Sequence, residues 1–521
     1  MTRTTRRQFL DSVGRGMLVA GLGATLSSDL GFSPAFANEG NDSLNFGKYD
    51  GLVDLLQSTS PEKLQPILIE KLNNNETTLQ ELIAAGALAN AETFGGEDYV
   101  GFHTAMAMLP ASQMVDLLPS ERKPLPVLKV LYRNTQQIQQ YGGASKRTLR
   151  EQHAAEEATV ENAGIAIRDA CRATNVELAE KLFSPYAKLT LFGGTLEEAF
   201  NVLQPAMQDD INVHRFVFAH RTYGLAKVLG ADHAYNILRQ CVRFCITHDA
   251  NLKRHNRPES PIRALMPKLL DQYKLAGKKP GTRELDDAAV DELARTIYQG
   301  PAAKSAEAAA AALAEGISPE VVGEAVSLAS NLLTLRQPAS EWRTHGDSAG
   351  VHSADATNAF RNMARHSDPQ FAISGLIVAA YHVAIHRAFS AEAYPTADHR
   401  AAIKAKDQAG LLAEAEDAVR HNDQPRAAAA IALYGEAGGT AEGVLNSMLQ
   451  FTISEDGRLH GEKFFQTVQE EYLTTRPAFR WRQMIALARV TASAYGYDRT
   501  DKQGHRAPGY EDACRLLKVP V

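Results

Sequence analysis

Two histidines one helical turn apart, set in an apolar run, are the residues of this chain best suited to chemistry. Phe371 to Ala380 is apolar almost all round, the pattern of a helix buried within a domain. Tyr381-His382-Val383-Ala384-Ile385-His386 continues that helix toward Phe389. A spacing of four places His382 and His386 side by side on one face, as a metal site or a paired acid and base requires. A lone buried imidazole commonly satisfies itself against a carbonyl, whereas two in register each need a specific partner. Five further positions are weighed with them. His352 stands before Ser353-Ala354-Asp355-Ala356-Thr357, at an expected loop-to-helix entry where a side chain projects into a cavity. His460 and Lys463 share a face at a spacing of three. His214 and His220 are six apart, so both reach one point only if their helix begins near His214, and His220 is the better candidate.

The elements that must position these residues read almost entirely as helix. Apolar residues recur at three and four spacing, and alternating β-branched runs are scarce. Ser60-Pro61-Glu62 and Ser318-Pro319-Glu320 put an N-cap before proline at the first helical position, and Thr195-Leu196-Glu197-Glu198 is a capping box. The fold expected is all-α, a large multi-helix domain with the option of two related halves: 38–273 and 318–521, joined by 274–317. That joining stretch holds a polar break at Lys278-Lys279-Pro280-Gly281 and an alanine-rich helix, Ala302 to Ala314. Phe102-His103-Thr104 and Ala219-His220-Arg221 each lead an apolar helix, an internal echo without a regular period.

The first 37 residues read as a twin-arginine export signal. Arg6-Arg7 lies in Thr4-Thr5-Arg6-Arg7-Gln8-Phe9-Leu10, an apolar stretch runs from Met17 to Leu26, and Ala35-Phe36-Ala37 supplies a small-x-small cleavage site. The apolar stretch is far short of the roughly 20 residues that a spanning helix needs. The expectation is a protein exported in its folded state to the periplasm or beyond, with the twin-arginine machinery as a partner and no stable membrane insertion. Removing this segment takes away four arginines and two aspartates, so a formal charge of -6 becomes -8. That balance argues against nucleic acid as a partner. The four cysteines, Cys171, Cys241, Cys245 and Cys514, are too few for a disulfide framework. Cys241, Cys245 and His248 fall on one helix face, as a metal would need, but helical cysteines more often pack as small hydrophobes. In Thr474 to Arg482 three arginines surround an aromatic pair, read as a helix beginning at Pro477 with solvated arginines. No Gly-x-Gly-x-x-Gly after a strand, Walker loop, Gly-x-Ser-x-Gly elbow or His-Glu-x-x-His occurs.

The order of the histidines carries a resemblance. Ala219-His220 through Leu229-Gly230-Ala231, then His352 to Thr357, then His382-Val383-Ala384-Ile385-His386, then Glu455-Asp456-Gly457 with His460 and Lys463, together resemble the questin oxidase-like family over about half the chain. The resemblance implies an α-helical oxidoreductase acting on oxygenated aromatic small molecules. Fungal members are associated with Baeyer-Villiger type opening of anthraquinone rings, chemistry that is not tied to a flavin. The family follows its second paired histidine with an apolar residue, a glycine and a tyrosine, where Arg387, Ala388 and Phe389 stand here; the substrate is therefore left open.

Three readings follow. In one, His382 or His386 is a general base that turns a phenol into an electron-rich anion, while Lys463 and His352 stabilise negative charge. In another, His220, His382, His386 and His460 include three ligands of iron or copper, with dioxygen or substrate at an open position. In the third, the chain is a non-catalytic helical scaffold or metal-binding protein of the cell envelope. An open cavity lined by His220, His352, His382 and His386 would favour an enzyme, and a dry, packed helix around His382 would favour the scaffold.

Overall fold

Capping residues and apolar spacing divide the chain into 23 α-helices, with no strand, among the residues described by the computed structural model: 44–152, 162–188, 195–342, 348–386, 388–454, 459–496 and 508–521. The export signal, Arg387 and Glu455-Asp456-Gly457 lie outside the described residues. The helices run α1 (Asp50–Ser58), α2 (Pro61–Asn73), α3 (Leu79–Phe94), α4 (Tyr99–Met114), α5 (Leu125–Tyr141), α6 (Ala163–Ala173), α7 (Val176–Phe183) and α8 (Leu196–Met207). Next come α9 (Val213–Leu229), α10 (Ala231–Arg254), α11 (Ile262–Gln272), α12 (Asp287–Gln299), α13 (Ala302–Ala314), α14 (Pro319–Arg336), α15 (Ala349–His366) and α16 (Pro369–Ala384). The last are α17 (Ala397–Ala401), α18 (Gln408–Arg420), α19 (Gln424–Glu436), α20 (Ala441–Ser454), α21 (His460–Thr474), α22 (Trp481–Ala494) and α23 (Pro508–Leu517). None of the described helices is long and apolar enough to cross a membrane.

Local chemistry explains the starts. Thr195 caps α8 with the reciprocal Glu198 contact of a capping box, and the Ser318 hydroxyl accepts from the Val321 amide ahead of Pro319. Ser60 occupies the N-cap of α2 without a side-chain cap bond. The alanine-rich helix spans the expected residues. The Thr474 to Arg482 stretch differs from expectation: α22 begins at Trp481, and the arginines are engaged. Arg476 pairs with Glu324 at 3.0 Å and Arg482 with Asp291 at 2.8 Å, while Arg480 lies over the Tyr472 ring. Carboxylates on α12 and α14, distant in sequence, supply those partners.

Four helices close into a ring at the centre: α4 packs on α9, α9 on α15, α15 on α21, and α21 back on α4. Helices from both expected halves thus share one bundle. The intervening α12 and α13 pack on α14 and α16. Phe216 of α9 and Phe360 of α15 meet at 4.1 Å between ring centroids, and Phe102 of α4 meets Phe244 of α10 edge-on at 5.0 Å. Fully burying one such ring stabilises the fold by about 2 kcal/mol. A Cβ on Gly350 would collide with the Thr334 backbone nitrogen, so glycine is what lets the first turn of α15 lie against α14. That turn carries His352.

Candidate active site

Each helix of the central ring brings a histidine near its own N-terminus. His103 is the fifth residue of α4, His214 the second of α9, His352 the fourth of α15 and His460 the first of α21. Side chains set at these starts meet at one end of the bundle. The His103 and His214 Nε2 atoms are 3.2 Å apart, and the His460 ring lies 5.5 Å from the rings of both His103 and His352. On α16 the buried His382 is joined by His386 just beyond the helix end, with ring centroids 5.5 Å apart. A helix start carries positive partial charge, and the four starts at this end of the bundle are partly opposed by the C-terminal end of α16, which carries His382.

The cluster opens to a cavity of about 480 Å³. His214, His352, His382 and His386 line it, with Asn212 and Ile385. Ile385 at 41% exposure is at its lip, and Tyr99, 52% exposed, has its ring 5.6 Å from that of His214. Behind the cavity wall are His103, His460, Lys463 and Asp355, all buried.

Hydrogen bonds assign the tautomers of two rings. His103 Nδ1 is 2.6 Å from the Tyr99 carbonyl and His352 Nδ1 is 3.0 Å from the Ser348 carbonyl. A carbonyl only accepts, so Nδ1 carries the proton in both rings and Nε2 is the basic atom. The carbonyl of Ser348, the N-cap residue of α15, thus fixes which nitrogen His352 offers. His382 Nδ1 and His386 Nε2 are buried without a hydrogen-bond partner, a costly condition for groups with no purpose.

The imidazoles are held neutral. Burial first, then the neighbouring His386 and His352, lowers His382 to a pKa of about 3; burial and His352 lower His386 to about 4. Burial, then Lys463, His352 and His248, lowers His214 to about 3, and burial followed by Lys463 and His214 puts His103 well below the ordinary value. Burial also lowers His352, against the Ser348 carbonyl and Asp355. Lys463 falls to about 8 because burial outweighs the attraction of Asp355 and Glu462. Burial raises the Asp355 carboxyl despite Lys463, Arg221 and a 2.9 Å hydrogen bond from Thr467. Glu462 is turned to Lys129, 2.6 Å away, both fully buried.

Of the residues expected from sequence, the fold gathers His352, His382, His386, His460 and Lys463 and separates His220. His220 Nε2 faces Glu470 at 3.7 Å, and that carboxylate also accepts from Asn362 at 2.8 Å and Gln466 at 2.6 Å. Because α9 starts at Val213, His214 rather than His220 reaches the cluster. His103 and His214 were not among the expected site residues. The Asn212 cap, whose side chain accepts from the His214 amide, was the available signal for the second; Phe102-His103-Thr104 inside an apolar helix was a weaker one for the first.

A metal finds no ready set of donors in the cluster. Among the described residues the one group of three such side chains with donor atoms within 4.8 Å of one another is Asp210, His248 and Asp249. Arg215 and Arg263 already reach Asp249 at 3.2 and 2.8 Å, so guanidinium charge fills the role a cation would take there. The set His220, His382, His386 and His460 is not gathered to that spacing. Cys241 contacts Thr222 at 3.1 Å and Cys245 the Ala206 carbonyl at 3.9 Å, while His248 turns to Asp210 at 3.3 Å, so the three diverge.

Compared with protein-family models, with curated proteins and with solved structures, the chain gives no match.

Proposed function

We propose that the cavity is the active site of an oxidoreductase acting on an oxygenated small molecule with an acidic O–H, phenolic or hydroquinone-like. One observation carries the reading: neutral imidazoles converge on one open cavity beside the starts of α9 and α15, with His103, His460 and Lys463 behind them. Neutral imidazole takes a proton, and the starts of α9 and α15 with the charge of Lys463 stabilise the anion left behind. His352 Nε2 is the base whose tautomer is fixed, so His352 shifts from a charge-stabilising role to that of base. His382 and His386 face the same space and hold the second oxygen function. Lys463 contributes charge from behind the wall, since its field already lowers His103 and His214.

The oxidative step uses dioxygen as acceptor. A hydroquinone loses two protons and two electrons to become the quinone, and dioxygen gains them as hydrogen peroxide. Resemblance to the questin oxidase-like family supports this class, and the twin-arginine segment at residues 1–37 supports action after export to the periplasm or beyond. The spacing of the donors, rather than the bare presence of histidine, favours acid-base chemistry over iron or copper. An open cavity, in place of a dry packed helix, favours an enzyme over a scaffold.

The test is oxygen uptake and peroxide release by the purified full chain with a panel of phenols and hydroquinones. His352→Gln and His382→Gln should each remove turnover, and His220→Gln should leave kcat unchanged because it lies off the cavity. Turnover that survives both His352→Gln and His382→Gln would sink the assignment.

A further inference from the structure

A second cavity, of about 260 Å³, lies between α12, α14, α17 and α22 and shares no lining residue with the histidine site. Four guanidiniums face it: Arg295 of α12, Arg336 at the end of α14, Arg400 of α17 and Arg482 of α22. Their carboxylate partners are too few. Arg295 and Arg482 share Asp291, at 2.7 and 2.8 Å, and Arg400 is paired with Glu436. Four positive charges against two negative ones leave an excess of two. Arg336 has no ion pair or hydrogen bond among the described residues; its Nε is buried and unsatisfied, and its guanidinium sits 5.8 Å from the Tyr298 ring centroid. The Tyr298 hydroxyl is already engaged with the backbone of Phe389, donating to its carbonyl at 2.9 Å and accepting from its amide at 2.7 Å. What Tyr298 offers the cavity is therefore a fixed aromatic wall, and Leu332 and Leu335 add aliphatic surface.

A half-buried guanidinium without an ion pair, beside an excess of positive charge, is matched by a doubly charged oxyanion, because its fork presents parallel N–H donors to two oxygens. The apolar wall suits an organic body on that anion. We propose that this cavity is a binding site for a small organic dianion, a phosphate monoester or a dicarboxylate, anchored by Arg336. Arg482 and Arg295 contribute through the half of their charge that Asp291 leaves uncompensated. The proposal does not rest on the reading of the histidine cavity.

Calorimetric titration of the full chain at low salt with phenyl phosphate, inorganic phosphate and phthalate tests it, with cyclohexanol as the uncharged control. At least one dianion should bind, cyclohexanol should give no heat, and Arg336→Met should weaken binding by at least about tenfold, or 1.4 kcal/mol. Arg336→Lys should weaken it less, since it keeps the charge and loses the fork. Arg400→Gln, on an exposed helix, serves as a second variant should Arg336→Met fold poorly, and it should weaken binding too. Preference among the anions identifies the head group: phosphates alone mark a phosphate site, phthalate alone a dicarboxylate site. Absence of heat with all three anions, or affinity unchanged in both Arg336→Met and Arg400→Gln, overturns the proposal.

Discussion

Acid should destabilise this protein through its buried histidines, and His382 allows the size of the effect to be worked out. Its side chain is 3% exposed, and burial, followed by His386 and His352, holds it to a pKa of about 3. In the unfolded chain the imidazole returns to about 6.5. Between these values the unfolded state holds a proton that the folded state does not, so stability rises with pH across the interval. His382 therefore imposes no penalty above about pH 7, and its penalty grows as pH falls from 6.5 toward 3, by about 1.4 kcal/mol per unit. At about pH 5 it alone removes about 2 kcal/mol, a large share of an ordinary domain's 5–15. His214 and His386 are depressed in the same direction and steepen the loss. Urea denaturation of wild type and His382→Gln at about pH 7 and about pH 5 isolates the term. The variant should be less stable at neutral pH and should lose about 2 kcal/mol less on acidification. Equal losses in the two proteins would show that the imidazole at 382 is not held neutral, and the case for a neutral ring at this wall of the cavity would fall with that.

Other outcomes follow from the same geometry. Lys463 titrates near 8, so turnover that depends on its charge should decline above that pH; Lys463→Arg should move the decline upward, read from the alkaline limb of kcat/KM. Lys463→Met should raise the pKa of His103, His214 and His352, followed by the C2-proton shifts of their rings. Lys129→Met strands the buried Glu462 and should cost about 3–5 kcal/mol in urea unfolding, most of it restored by adding Glu462→Leu. Cys241 and Cys245 are pushed up to about 12 by burial, and Cys171 well above its ordinary value by the same cause. None of these three should react with a thiol reagent in the native protein at neutral pH, and all should react in denaturant.

How much of this was legible in the sequence depends on the range of each interaction. Helix identity is local, so the capping box at Thr195 and Glu198 and the bounds of Ala302–Ala314 could be read directly. The His382 and His386 pair is a spacing within one turn and was equally accessible, although the helix ends at Ala384 and leaves His386 on the following turn. Ring closure by α4, α9, α15 and α21 is long-range, and no periodicity encodes it. Choosing between His214 and His220 required the start of α9 to within one residue. The polar pairing of His220 with Glu470 lies across two helices and had no signal in the sequence around either residue.

The depressed imidazoles also constrain how a base in this cavity would work. A histidine that takes a substrate proton becomes an imidazolium among helix starts and within the field of Lys463, where positive charge is disfavoured. It would gain basicity only from the anion it has just created, so proton transfer and anion stabilisation are coupled. Holding the anion is then a condition for keeping the proton, and release of one favours release of the other. His352 has a relief that His382 lacks: Asp355 lies three residues on in the same helix and its charge works against the lowering. For this reason His352, and not His382 or His386, is the residue whose protonation should set the acid limb of the pH dependence of turnover.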